Sequence, residues 1–384
     1  MDASVNRIPS SEDERALLIG IKLDTDTREA VEYSLDELKL LVATAGAVVI
    51  DSMIVKRQQI DAAHIIGRGY IEKIKLILHE RNIRLVIFDL NTIRPAQIRN
   101  LESLFNCRVV GRTEVILDIF ARRARSSEAK IQVELAQLHY ILPRLKGLGG
   151  VLSRLGGGIG TRGPGEKMLE TDRRHILRRI SKLNDKLESI SNHRQLLRKS
   201  RSGELLGAVV GYTNAGKSTL INYLAKDDLF VEDRLFATLD AYTRIVYLDA
   251  ATKVLLTDTV GFISNLPSNL IESFKSTLEE IRNAHFLIHV IDISSHDIDT
   301  SIRTVMHELK ALECHDKPQV LFFNKADTCL TEVIEAVQNK YPDALVGSAR
   351  TGDGISDLKN RLADLYRIKT SHPVVKRNEH FSDI

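Results

Sequence analysis

Cysteine is scarce in this chain and long apolar runs are missing, and each shortage excludes something. Three cysteines, Cys107, Cys314 and Cys329, occur in 384 residues. Their odd number and wide spacing rule out a disulfide framework and a CxxC metal site, and fit a reducing compartment with inert, buried thiols. No run of eighteen apolar residues is present, and the opening MDASVNRIPSSEDER is polar and acidic. Neither a membrane span nor a secretory leader is expected. A cytoplasmic location follows, without integral membrane association and with peripheral membrane contact left open.

What the chain does have is room and a concentrated charge. At 384 residues and 43% hydrophobic content it can build two or three full cores. The net charge is only +3, but residues 121–200 carry 18 Lys/Arg against 7 Asp/Glu, a net of +11, which leaves −8 for the rest (3 − 11). A solvated helical face normally interleaves both signs; a basic block in an otherwise acidic chain points to a polyanionic partner.

The strongest motif is GYTNAGKST, residues 211–219, between the apolar run LLGAVV and a segment suited to a helix. It fits G-x-x-x-x-G-K-[ST], a phosphate-binding loop. Gly211 and Gly216 let the backbone bend so that the N–H groups of Tyr212, Thr213, Asn214, Ala215 and their neighbours converge on phosphate oxygens. The helix N-terminus at Lys217, Ser218 and Thr219 adds its positive end. Lys217 would bridge the outer phosphates, and the Ser218 hydroxyl would hold Mg²⁺. Asn214 is a candidate ligand for K⁺, an ion that could stand in electrostatically for an arginine finger; no arginine can be named as a finger in cis.

Downstream, Asp258-Thr259-Val260-Gly261-Phe262 follows the apolar strand VLLT. There the Asp258 carboxylate would reach Mg²⁺ through water and the Gly261 N–H would sense the γ-phosphate. Thr238, in Phe236-Ala237-Thr238-Leu239-Asp240, would supply a second hydroxyl to Mg²⁺ that is lost when the loop relaxes. Asn324-Lys325-Ala326-Asp327 follows VLFF. Asp327 would accept from two donors on guanine's Watson–Crick edge, a pair that adenine lacks, which favours GTP over ATP. Ser348-Ala349-Arg350 would add backbone N–H groups near the base. Phe262 stands where many GTPases place a water-orienting glutamine, so unassisted hydrolysis should be slow.

In order along the chain, residues 1–13 are expected to be disordered and residues 14–111 to form a small α/β layer, with strands at LLIGI (17–21), AVVID (47–51), LVIFD (85–89) and CRVVG (107–111). A helix opening at Ser34, with Glu37 closing a capping box, is expected between the first two. Residues 112–200 should form an antiparallel helical hairpin: Ile131, Leu135, Leu138 and Leu142 make one narrow apolar stripe, and Ile176, Ile180, Leu183, Leu187 and Ile190 another. Its tip, 147–165, holds nine of the chain's 22 glycines, and no aromatic residue for base stacking. Arg154, Gly156, Gly157, Gly158, Thr161 and Arg162 there, with Arg173 and Arg174 on the second arm, are candidate contacts for folded RNA read by shape and charge. Residues 203–367 alternate strand and helix as a doubly wound, mostly parallel sheet, and 368–384 form a tail.

GGGIGTRGPGE (156–166), LETDRR (169–174), DIFARRAR (118–125), KIQVELAQL (130–138) and FATLD (236–240) together resemble the HflX family of translation-factor-related GTPases, over roughly residues 15–365. The resemblance implies a monomeric, Mg²⁺-dependent enzyme that turns GTP into GDP and phosphate. Its implied partner is the large ribosomal subunit and its rRNA rather than DNA, with stalled or idle ribosomes split under stress. Members often carry a further small domain after the GTPase domain, for which the residues past 367 leave no normal space. Two other readings stay open at this point: an RNA-remodelling NTPase that also uses ATP, and a non-catalytic GTP-dependent switch that binds a protein or a membrane.

Overall fold

The computed structural model describes residues 14–145, 164–199, 204–226, 235–236, 242–249, 252–264, 275–295 and 297–371. The expected disordered start, most of the glycine-rich tip with Arg154, Gly156, Gly157, Gly158, Thr161 and Arg162, the loop residues Ala237, Thr238 and Leu239, and the tail from 372 lie outside these. The chain groups into two compact units, one of residues 1–200 with 232–240 and 260–279, the other of 201–231, 241–259 and 280–384.

The first unit is built on a four-stranded parallel sheet in the order β2-β1-β3-β4, with β1 at Arg15–Lys22, β2 at Val48–Lys56, β3 at Leu85–Phe88 and β4 at Arg108–Gly111. Parallel strands need crossovers, and the sequence supplies them as amphipathic helices α1 (Arg28–Thr44), α2 (Arg68–Glu80) and α3 (Pro95–Phe105). β3 is buried along its whole length, as a strand covered on both faces must be. One expectation fails here. Helix α1 starts at Arg28 and is capped by Thr27, whose hydroxyl accepts from the Ala30 N–H, so Ser34 lies inside the helix. Glu37 is not a capping residue either; it is drawn to a cation 75 residues away.

That cation is Arg112, the first residue of α4 (Arg112–Arg123), and it is 1% exposed. Its guanidinium pairs with Glu37 and, at 3.0 Å, with Asp89 at the end of β3, and donates to the Ser34 carbonyl at 3.2 Å. Burial alone would pull the Arg112 pKa down, but the two carboxylates outweigh it and leave it raised. One side chain thus ties α1, β3 and α4 together.

The hairpin arms are α5 (Ser127–Leu145) and α6 (Pro164–Lys199), the first preceded by α4 as a separate helix. Their seam is Leu135, Ile180 and Leu183, flanked by Ile131, Leu138, Leu142, Ile176 and Leu187. These are the positions of the two sequence stripes apart from Ile190, which is not in the seam. Arg179 clamps Glu134 across the arms at 2.6 and 2.8 Å.

The second unit holds a six-stranded sheet in the order β10-β9-β8-β5-β7-β6. Its strands are β5 (Leu205–Gly211), β6 (Thr243–Tyr247), β7 (Lys253–Asp258), β8 (Phe286–Asp292), β9 (Gln319–Asn324) and β10 (Leu345–Val346). All neighbours are parallel except the β6–β7 pair. Helices α7 (Lys217–Ala225), α8 (Lys275–Asn283, its residues to 279 grouped with the first unit), α9 (Ile298–Ala311), α10 (Thr331–Lys340) and α11 (Ile355–Ser371) complete the alternation, the last running past 367. The chain goes to opposite sides of β5 for β7 and β8. Strand order therefore reverses at the C-terminal end of β5, where doubly wound sheets bind ligands.

Arg112→Leu would strand two buried carboxylates and is expected to cost about 3–5 kcal/mol in urea unfolding; replacing all three charges together should cost far less.

Candidate functional site

β5 delivers the chain to the phosphate loop at the reversal point. Gly211 has φ +154°, and a Cβ there would run into the Val290 carbonyl of β8. Gly216 has φ +90°, and a Cβ there would meet the Asn324 amide. Both positions therefore require glycine on steric grounds. Asn214 between them also takes positive φ, +62°. Gly216 is the N-cap of α7, without a side-chain cap, so the first-turn N–H groups of Lys217, Ser218 and Thr219 have no partner within the helix.

Lys217 is 6% exposed and donates from Nζ to the Gly211 and Tyr212 carbonyls at 3.1 and 2.7 Å. Burial pulls its pKa down to about 8, against the pull of Asp258. The next residue, Ser218, donates its hydroxyl to Asp258 Oδ2 at 2.6 Å. Thr259, fully buried, donates to the Val209 carbonyl at 2.7 Å and so fixes the start of the segment that leaves β7. Val260, Gly261, Phe262 and Ile263 continue it, all buried. Phe236 is 2% exposed with φ +53°.

At the other end, Asn324 closes β9 and is 3% exposed. Its Nδ2 donates to the Ala215 carbonyl and its Oδ1 accepts from the Ala349 N–H, both at 2.8 Å. Lys325, at φ +67°, pairs with Asp292 at 2.7 Å. Asp327 is exposed on the short 3₁₀ turn Ala326–Thr328. Ser348 is buried, and its hydroxyl accepts from the Arg350 and Thr351 N–H groups, both at 3.2 Å, which rounds off the loop after β10.

The set suits a polyphosphate with a divalent cation. A glycine cradle, a desolvated ammonium, and a hydroxyl and a carboxylate 2.6 Å apart meet at one strand end. Among the described residues no three His, Cys, Asp or Glu side chains converge as a metal cage, so a cation here would draw the rest of its ligands from phosphate and water.

One residue escaped the sequence reading. His289 lies in β8, paired with Val210 of β5 and Leu321 of β9, and is 1% exposed. Its Nδ1 has no hydrogen-bond partner among the described residues. Burial first, and Lys217 second, bring its pKa down to about 4, so it is a neutral ring beneath the phosphate loop. A histidine inside the run FLIHVID was the available signal.

A doubly wound sheet with this loop, this hydroxyl–carboxylate pair and an Asn-Lys-x-Asp turn defines a P-loop GTPase. A family model described as "50S ribosome-binding GTPase" matches residues 207–325, and models described as "GTP-binding GTPase N-terminal" and "GTP-binding GTPase Middle Region" match 32–121 and 123–201. The chain belongs to the GTPase HflX family. It is 49% identical over 329 residues to GTPase HflX of Caldanaerobacter subterraneus subsp. tengcongensis, covering 85% of this chain and 75% of that protein. It is 45% identical over 351 residues to GTPase HflX of Alkalihalophilus pseudofirmus, covering 91% and 82%. The crystal structure of a GTP-binding protein from Sulfolobus solfataricus, in complex with GDP, is similar at 23% identity and a TM-score of 0.48, over 92% of this chain and 99% of that one. The protein binds GTP and hydrolyses it.

Because His289 is neutral when folded and titrates at its ordinary value when unfolded, its contribution is present above about pH 6.5 and lost as pH falls towards 4. Native protein should lose about 2 kcal/mol between pH 7 and pH 5 relative to His289→Leu, read by urea unfolding.

Proposed function

We propose that this GTPase acts on the large ribosomal subunit, inserting its basic hairpin into rRNA and separating stalled or idle ribosomes. The observation that carries the reading is the hairpin's charge. Residues 121–200 have a net +11, and Arg173, Arg174, Arg178, Arg179, Lys182 and Lys186 of α6 are all exposed while the arms bury a narrow apolar seam. A surface of that kind binds a phosphate backbone by charge, with counterion release. The matched family model, described as a 50S ribosome-binding GTPase, agrees with it. Work on ribosomes would place the protein in the cytoplasm, and no helix among the described residues is long and apolar enough to cross a membrane.

In the proposed cycle the loop from Gly211 to Thr219 holds the phosphates and Lys217 leaves its backbone carbonyls for the outer ones. Ser218 and Thr238 would hold Mg²⁺ directly and Asp258 through water; the ion would neutralise charge on the transferred phosphoryl group. Gly261 and Thr238 report whether the γ-phosphate is present, and Asn214 is the candidate ligand for K⁺. Asp327, exposed on its turn, reads guanine by being covered by it. Phe262 is an apolar, buried side chain that cannot polarise water. The subunit must therefore reorder the segment or supply the missing group.

GTP turnover by the full chain in K⁺ buffer should rise at least about tenfold with purified large subunits. It should fall when Na⁺ replaces K⁺, and subunit splitting should fail when residues 154–163 are shortened; equal rates with and without subunits would overturn the reading. Asp327→Asn should shift preference from guanine to xanthine nucleotides in a competition assay that also includes ATP, and unchanged GTP affinity would refute the base contact.

A further inference from the structure

Four side chains around the phosphate loop are held by other parts of the second unit. Lys217 donates to the Gly211 and Tyr212 carbonyls, Ser218 to Asp258, Thr259 to the Val209 carbonyl and Asn324 to the Ala215 carbonyl. Thr213, in the same loop, is held by nothing of the kind. It is 6% exposed, and its hydroxyl has no hydrogen-bond partner among the described residues.

Taking a hydroxyl out of water without giving it an acceptor costs free energy, and valine fills nearly the same volume without that cost. A buried polar atom left over in this way marks strain, a bound water or a functional contact. The Thr213 backbone is not strained, for its φ is negative, unlike those of its neighbours Asn214 and Gly216. Its place in the loop favours the functional contact. In loops of this type the backbone N–H groups cradle the inner phosphates and the lysine reaches the outer ones. The Lys217 ammonium rests on the carbonyls of Gly211 and Tyr212, immediately before Thr213. The outer phosphates are therefore expected towards the start of the loop, on the Thr213 side. Burial is no obstacle, since Lys217 is itself only 6% exposed.

We propose that the Thr213 hydroxyl is a specificity-determining contact, donating a hydrogen bond to the γ-phosphate and so separating GTP from GDP. The side chain makes this contact, apart from the backbone N–H of the same residue. The inference rests on the assignment of residues 211–219 to the phosphates, which Lys217→Ala tests separately.

The experiment uses the full chain in Mg²⁺ buffer, with fluorescent GDP displaced by GDP or by a non-hydrolysable GTP analogue, and urea unfolding without nucleotide. Thr213→Val keeps the shape and removes the hydroxyl; Thr213→Ser returns it. Thr213→Val should bind the analogue about tenfold to a hundredfold more weakly, the worth of a hydrogen bond to a charged acceptor, with GDP affinity within about twofold of native. Its urea midpoint should equal or exceed that of the native chain, because an unpartnered hydroxyl has gone. Thr213→Ser should restore most of the preference for the analogue. Equal weakening of both nucleotides, or unchanged analogue affinity, would overturn the proposal. A lowered urea midpoint with an unchanged ratio of analogue to GDP affinity would overturn it too, giving the hydroxyl to a bound water. Native affinity in Lys217→Ala would remove the loop assignment and the proposal with it; lost affinity there beside an unaltered Thr213→Val would sink the proposal alone.

Discussion

The phosphate site depends on one amide. Asn324 stands at the end of β9, yet its two side-chain atoms bond backbone in two other places, the loop at Ala215 and the loop at Ala349. Buried hydrogen bonds of this kind are expensive to leave unmade, so the three loops stay in fixed relation without any ligand to hold them. Gly216 completes the constraint from the opposite side, because a methyl group there would displace the amide. The turn proposed to read the base is thus also tied to the phosphate loop. Loops already held in place cost a ligand little ordering free energy on binding.

The second organising contact is its counterpart in the first unit. Arg112 with Glu37 and Asp89 is a buried ion cluster, a kind of contact that contributes little to net stability but penalises every arrangement that separates its members. The cluster fixes the start of α4 against the sheet, and α4 in turn offers Phe120 to Phe236 and Glu114 to Tyr140. The helix thereby holds the Phe236 ring and the hairpin arm to the same sheet.

Local patterns were legible in the sequence and distant pairings were not. Apolar runs placed the strands, most plainly β1, β3 and β8, which are buried along nearly their whole length. Heptad stripes at Leu135 and Ile180 named the seam. The phosphate loop, the Asp258 turn and the Asn324 turn could be read because their chemistry requires particular residues at short fixed spacing. The start of α1 was misread: Ser34 and Glu37 have capping-box spacing, but Thr27 caps the helix and Glu37 pairs with an arginine 75 residues away. Nothing within a short window shows such a partner. The double role of Asn324 and the neutral state of His289 were hidden for the same reason, since each depends on which strands become neighbours.

The hairpin seam has a further consequence. Among the described residues three buried side chains, Leu135, Ile180 and Leu183, hold the two arms together, with a belt of partly covered neighbours around them. Stability in a folded chain is unevenly spread, and a segment with so thin a core opens at far lower free energy than a sheet like the one around β3. The arms therefore form a compliant limb on a stiff base. A binding surface can bend or part them at little cost.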